Sequence, residues 1–259
     1  MAMLRVGCVP FINALPLTEG IRPELEFDDP ATLSRKFLNH ELDIALLPSV
    51  ELLRYGGQLE PLVPLGIASY GAVRSIRLIA RVPLEQIKTF RRDYQSRTSN
   101  ALAQVLFQNR YGLAVTETDQ SADAVLVIGN RALLTPPANY DYDLGALWTE
   151  WTGLPFVYAL WVKHPHVVAG EWPDKLHRAY AQGKQNMPAL VRQAALEIGI
   201  TDAVASDYLN KHIQYELGEK HRLALRRFYD ELAALEDLPP YAVHTWDRLV
   251  TASDIPSKF

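Results

Sequence analysis

Short runs of β-forming residues alternate with helical patterns through the first half of the chain, and that alternation limits it to α/β architecture with a largely parallel sheet. Residues 4–9 read as a first strand stopped by Pro10, and 13–20 as a turn leading into a short helix. Residues 25–27 read as a second strand. Leu33, Phe37 and Leu38 then form an apolar stripe on a helix over about 31–41. A buried strand over 43–47 ends at Pro48, and Ser49 is placed to cap the helix carrying Leu52 and Leu53.

Beyond this first lobe, residues 75–82 alternate apolar and polar side chains as a long strand followed at once by Pro83. A second unit follows, with a helix over 98–111, an apolar strand over 124–128, a helix over 144–151 and a strand over 156–162. From 172 to 235 the pattern is helical, with breaks at 187–188, at 199–200 and near Gly218. The expectation is two lobes, the second inserted into the first, with lobe 1 made of 1–82 and 163–259 and lobe 2 of 83–162. The chain would cross near 80–90 and 157–165. Ligands of such folds sit at the carboxyl ends of strands and between domains.

A chain of 259 residues with 48% hydrophobic composition can form one large or two medium cores. Its 26 basic and 30 acidic residues are well mixed and sum to a net charge of −4, so no broad basic face is available for nucleic acid or an anionic membrane. Cys8 is the only cysteine, which excludes an intrachain disulfide and Cys-rich zinc sites and fits a reducing compartment. The opening residues show no signal-peptide pattern, and no apolar run approaches the roughly 20 residues that span a bilayer, so a cytoplasmic location is expected. The sequence fixes no oligomeric state.

Four segments could carry chemistry. In the first, 9–17, Asn13 follows a strand end among apolar neighbours, where its amide can cap a helix or donate to a ligand oxygen. In the second, 69–75, a glycine-containing loop offers backbone N–H groups and the Ser75 hydroxyl to an anion, or is simply a tight turn. The third, Ser96, Arg97, Thr98 and Ser99, gathers three hydroxyls and a guanidinium at the start of a helix. The free N–H groups and dipole there would stabilise a carboxylate. The fourth pairs 128–131 with 151–156, where glycines permit close approach and Trp151 and Phe156 either wall a ring-shaped ligand or pack a core. Elsewhere the signals are weak. His164 and His166 share a strand-like face with no third ligand and read as a solvent-facing pair, Cys8 has no visible activating base, and no phosphate-binding glycine loop is present. The charged run 219–227 reads as a solvated helix face.

Six motifs in register, VGCVPFINALPL, HELDIALLPS, GAVRSIRL, SRTSNAL, VIGNRAL and YDLGALWTEWTGLPFVYALW, together resemble the chorismate dehydratase family of the futalosine route to menaquinone. The match is close over 4–163 and only general over the C-terminal helices. The resemblance implies the two-lobed type II periplasmic-binding-protein fold, a small anionic substrate (chorismate), no nucleic acid or membrane partner, and no cofactor or metal. It implies loss of water from chorismate to give 3-[(1-carboxyvinyl)oxy]benzoate. Asn13 and Ser75 are expected nearest the chemistry. Pro10, Phe11, Ser49, Val73, Ser96, Arg97, Thr98, Ser99, Asn130, Thr152, Gly153, Leu154 and Phe156 are expected to contact substrate. The family's usual IGD stands here as IGN, so Asn130 can act only as a neutral hydrogen-bonding group. The four segments contain no His, Glu or Asp to serve as general base. The base is therefore either the substrate's own enolpyruvyl carboxylate or a cleft acid such as Asp43 or Glu51. Two rival expectations are a non-catalytic solute-binding or sensor protein with the same cleft, and the sister enzyme acting on cyclic dehypoxanthinyl futalosine.

Overall fold

A computed structural model describes residues 3–241. The first six strands and first three helices are β1 (Val6–Cys8), β2 (Leu25–Phe27), α1 (Pro30–Leu38), β3 (Ile44–Pro48), α2 (Ser49–Tyr55), β4 (Glu60–Ser69), β5 (Ile76–Ala80), β6 (Thr89–Arg91) and α3 (Arg97–Val105). They are followed by β7 (Thr116–Glu117), β8 (Ala124–Ile128), α4 (Gly129–Leu134), β9 (Tyr140–Asp143), α5 (Leu144–Thr152) and β10 (Phe156–Lys163). The C-terminal part holds α6 (Trp172–Gln185), α7 (Met187–Ile198), α8 (Asp202–Asp207), β11 (Gln214–Glu216) and α9 (Glu219–Ala233).

The strands make two sheets, one of six in the order β11-β4-β10-β3-β1-β2 and one of five in the order β7-β6-β8-β5-β9. Both are mixed rather than largely parallel. β1 pairs parallel with β2 and β3, whereas β10 runs antiparallel to β3 and β4, and β5 runs antiparallel to β8 and β9. The lobe boundaries differ from the sequence expectation. β5 belongs wholly to the second sheet and β10 wholly to the first, so the chain crosses at 70–75 and 153–155 instead of near 80–90 and 157–165. Alternation identifies a half-buried strand but says nothing of which sheet it joins.

β4 was not expected, because Pro61, Pro64 and Gly66 interrupt its pattern. It is nonetheless an inner strand, and its pairing with β10 shifts register between Val157 and Ala159 and again between Leu160 and Val162. The expected cap at Ser49 is also corrected. Pro48 occupies the cap position, Ser49 is the first helical residue, and its buried hydroxyl donates to the Val157 carbonyl of β10 at 2.6 Å. Where side chains do cap, they follow the usual chemistry: Asp29 accepts from the amides of Ala31 and Thr32 at α1, and Asp143 accepts from Ala146 at α5.

The C-terminal helices close the first lobe. α6 packs so tightly on the 3₁₀ turn Ile12–Leu17 that a Cβ on Gly183 would stand 2.2 Å from the Pro16 carbonyl oxygen. α9 seals the other flank, where Phe228 meets Trp148 and Phe156 edge-on at 5.9 and 4.9 Å. No helix among the described residues is long and apolar enough to cross a membrane.

Candidate functional site

A cleft lies between the two sheets, lined by residues of both. Its floor comes from strand ends on both sides: Val9, Leu46, Pro48, Ile67, Tyr158 and Ala159 from the first sheet, Ile76 and Ile128 from the second. Ile76 opens β5 and Ile128 ends β8, and the antiparallel register places them side by side.

Of the expected site residues, Phe11, Asn13, Val73, Ser75, Ser96, Arg97, Thr98 and Ser99 line this cleft together. The start of α3 supplies the largest polar group. Ser96 caps the helix by accepting from the Ser99 amide, and Thr98 Oγ1 accepts from the Val50 amide at 3.2 Å, which leaves the Thr98 proton available to a ligand. Arg97 is the only cation on the lining, and behind it stands Glu51, fully buried and ion-paired with its guanidinium. Burial pushes the Glu51 carboxyl up, and the Arg97 charge opposes that shift.

Asn13 does not cap a helix. Its Nδ2 donates to the Tyr208 hydroxyl at 3.0 Å, and Tyr208 donates to Ser75 Oγ at 2.8 Å. Asn13 Oδ1 is buried with no hydrogen-bond partner. Tyr208 and Tyr158 were missed from the sequence, since an isolated tyrosine in a helical stretch or a buried strand carries no local signal of a site.

The loop over 69–75, read from the sequence as either an anion nest or a tight turn, has its donors engaged within the protein. The backbone amides of Val73 and Arg74 donate to the Asp143 carboxylate at 3.0 and 2.6 Å, so a protein carboxylate already fills it. Arg74 adopts a positive φ of 67° there. Burial raises the Asp143 carboxyl, against the lowering effect of these donors.

The fourth segment divides. Gly129 lines the cleft with φ +60°, and a Cβ on it would stand 2.9 Å from the Phe11 ring. Asn130 does not line the cleft; its Oδ1 accepts from the Ile12 amide at 3.3 Å, a neutral bond that joins the second sheet's α4 to the first lobe. Thr152, Gly153, Leu154 and Phe156 lie off the lining. Thr152 bonds back to the Trp148 carbonyl, Gly153 ends α5 in a left-handed conformation, the Leu154 carbonyl accepts from Thr149, and Phe156 packs on Trp148. Ser49 is structural, as described, and Pro10 is exposed outside the lining.

Neither carboxylate suggested as a base reaches the cleft lining. Asp43 sits at the opposite end of β3 and accepts from the backbone and side chain of Arg5, and Glu51 is committed to Arg97. His164 is buried rather than solvent-facing. It stacks on Phe37 at 3.9 Å and bonds the Phe37 carbonyl through Nε2. Cys8 is fully buried and its thiol is pushed up to about 12 by burial, as suits an inert core cysteine. No group of three metal-binding side chains occurs among the described residues.

Two sheets joined by two crossings, with a cleft of hydroxyls, an amide and a helix start between them, define a protein of the type II periplasmic-binding-protein fold. Solved structures agree: protein AF1704 of Archaeoglobus fulgidus superposes with a TM-score of 0.69 at 17% identity, covering 90% of this chain and 97% of that one. The aliphatic sulphonate binding protein SsuA of Escherichia coli superposes with a TM-score of 0.61 at 12% identity, covering 95% and 98%. A family model described as menaquinone biosynthesis matches residues 4–234, and the chain belongs to that family. Its curated relatives include the chorismate dehydratase of Campylobacter jejuni, 28% identical over 233 residues with 87% of this chain and 92% of that protein covered. That of Thermus thermophilus is 27% identical over 259 residues, covering 88% and 94%.

Proposed function

We propose that the protein is a chorismate dehydratase, a hydro-lyase of the futalosine route to menaquinone, working in the cytoplasm without a cofactor. The observation that carries the mechanism is the lining itself: among the described residues it holds one guanidinium, one phenol, one amide and several hydroxyls, but no carboxylate and no imidazole. The phenol of Tyr158 is raised well above its ordinary range by burial and stays protonated. A site of this kind can bind and orient a dianion but has no protein group suited to accept a proton near neutral pH.

The substrate brings the missing group. Loss of the C3 proton leaves charge conjugated through the ring diene to the ring carboxylate, and expulsion of the C4 hydroxyl then completes an aromatic ring. The enolpyruvyl carboxylate, attached through oxygen at C3, is the base, and the Ser75 hydroxyl and the second amide N–H of Asn13 donate to it and hold it against that proton. Arg97, the Thr98 hydroxyl and the N-terminal end of α3 stabilise the ring carboxylate as charge accumulates on it. The apolar floor excludes water from the carbanion-like state and strengthens each of these contacts.

The decisive experiment is incubation with chorismate followed by mass spectrometry. The expected product is lighter by one water; chorismate bound but recovered intact would instead mark a binding or sensor protein. Asn13→Ala is expected to lower kcat by roughly 100-fold, the scale for loss of one oriented polar contact in a catalytic site. Near-normal turnover would remove Asn13 from the mechanism.

A further inference from the structure

The hydroxyl of Tyr208 joins the two residues placed nearest the chemistry. It lies on a π-turn, residues 208–212, that follows α8 in the C-terminal part of the chain, and its side chain is 2% exposed. The turn is fastened to the same connector that carries Ser75, because His212 Nδ1 donates to the Ala72 carbonyl at 2.7 Å. A phenylalanine would fill the same space without having to satisfy a buried hydroxyl, so the phenol oxygen needs an explanation.

Donor and acceptor capacity supplies one. The Asn13 amide nitrogen can only donate, so the Tyr208 oxygen accepts from it and passes its own proton to Ser75 Oγ. Two consequences follow on the cleft side. Asn13 Oδ1 is left as a buried acceptor with no protein partner, on a residue that lines the cleft. Ser75, which accepts from Tyr208, has its own proton free to donate into the same cleft. Burial pushes the Tyr208 phenol up to about 12, so it remains a donor throughout the working pH range.

We infer that Tyr208 is a positioning residue: through a single phenol oxygen it fixes the orientation of the Asn13 amide, with Oδ1 left as an acceptor, and of the Ser75 hydroxyl, left as a donor, side by side on the cleft lining. This rests on the dehydratase reading for its chemistry, since chorismate offers both a hydroxyl to donate and carboxylates to accept. It does not rest on that reading for the relay itself. Without the relay the Asn13 amide can rotate by half a turn and the Ser75 hydroxyl can turn toward its own backbone, so substrate would still bind but in mixed orientations.

Tyr208→Phe tests this with two independent readouts, and its ring leaves the core volume unchanged. In ligand-free protein labelled with ¹⁵N-asparagine, the Asn13 side-chain amide signal, assigned by its loss in Asn13→Asp, is expected to shift upfield in Tyr208→Phe while the remaining asparagine amides hold. An unmoved signal overturns the proposal whatever the substrate is. With chorismate, kcat is expected to fall ten- to a hundredfold while KM stays within threefold. Ser75→Ala is expected to cost at least fivefold less in the Tyr208→Phe background than in the native protein. Full additivity of the two substitutions, or a loss confined to KM, overturns the proposal. If native protein leaves chorismate intact while the Asn13 signal shifts, the dehydratase reading falls and the positioning role stands.

Discussion

Phe11 and Gly129 meet where the two lobes approach each other, and the contact depends on the absence of a side chain at 129. Gly129 holds φ +60°, and a methyl group there would stand between 2.9 and 3.1 Å from three atoms of the Phe11 ring. Gly129→Ala is therefore expected to cost roughly 1–2 kcal/mol from the left-handed backbone alone, with ring displacement in addition, read as a lower urea midpoint at unchanged slope. Residues of this kind show how far a sequence can be read. Ser96, Thr98 and Ser99 were legible because hydroxyls at the start of a helix have a local meaning. Ser49 also stands at the start of a helix, yet its hydroxyl is used up on the Val157 carbonyl, and Thr152, the last residue of α5, bonds back to the Trp148 carbonyl. Which partner a hydroxyl finds is decided by tertiary packing, as with Ser49 and a carbonyl 108 positions away.

Among the elements, α9 carries the clearest acid sensitivity. His221 occupies the third position of that helix, where its Nδ1 accepts from the Gly218 amide while Nε2 donates to Gln214 Oε1. This fixes the neutral form, and burial lowers the group from 6.5 to about 4. The folded state thus binds a proton later than the unfolded state as pH falls. Stability from this group is complete above about pH 6.5, declines between 6.5 and 4, and declines no further below that. His221→Gln is expected to flatten the fall in urea midpoint across that window relative to the native protein. His164, also lowered by burial, accounts for part of the slope that remains. The elements also mark where periodicity stops being informative. β2 and β8 were read at their true limits, β8 because it is a short apolar run and β2 because Leu25 and Phe27 alternate with Glu26 between turn residues. β4, β6, β7, β9 and β11 escaped notice, since β4 contains two prolines, β6 and β7 are two or three residues long, β9 reads YDYD, and β11 is three residues inside a helical stretch.

At the scale of the whole molecule, the cleft joins pieces far apart in sequence: strand ends from both sheets and the start of α3, with a tyrosine of the C-terminal segment bonded to two of its lining residues. A ligand that touches both lobes belongs to the folded state alone. The product 3-[(1-carboxyvinyl)oxy]benzoate, at about 100 times its Kd, is therefore expected to add about 2.7 kcal/mol to unfolding free energy, seen as one higher, still cooperative transition. Two separate transitions with only one shifted would place the ligand on a single lobe. The inserted second lobe was legible in the order of elements. Its limits were not, because the direction a strand takes on leaving a loop depends on pairing across 52 to 87 residues of sequence, as Ile76 with Ile128 and Phe156 with Ser69 demonstrate. The two connectors are also tied through α5: the Gly71 amide donates to Thr149 Oγ1, which donates on to the Leu154 carbonyl, and Asp143, at the base of α5, grips the Val73 and Arg74 amides. The outgoing and returning strands therefore behave as one braided strap, and an insertion on one side would twist the cleft unless a matching length were spliced into the other.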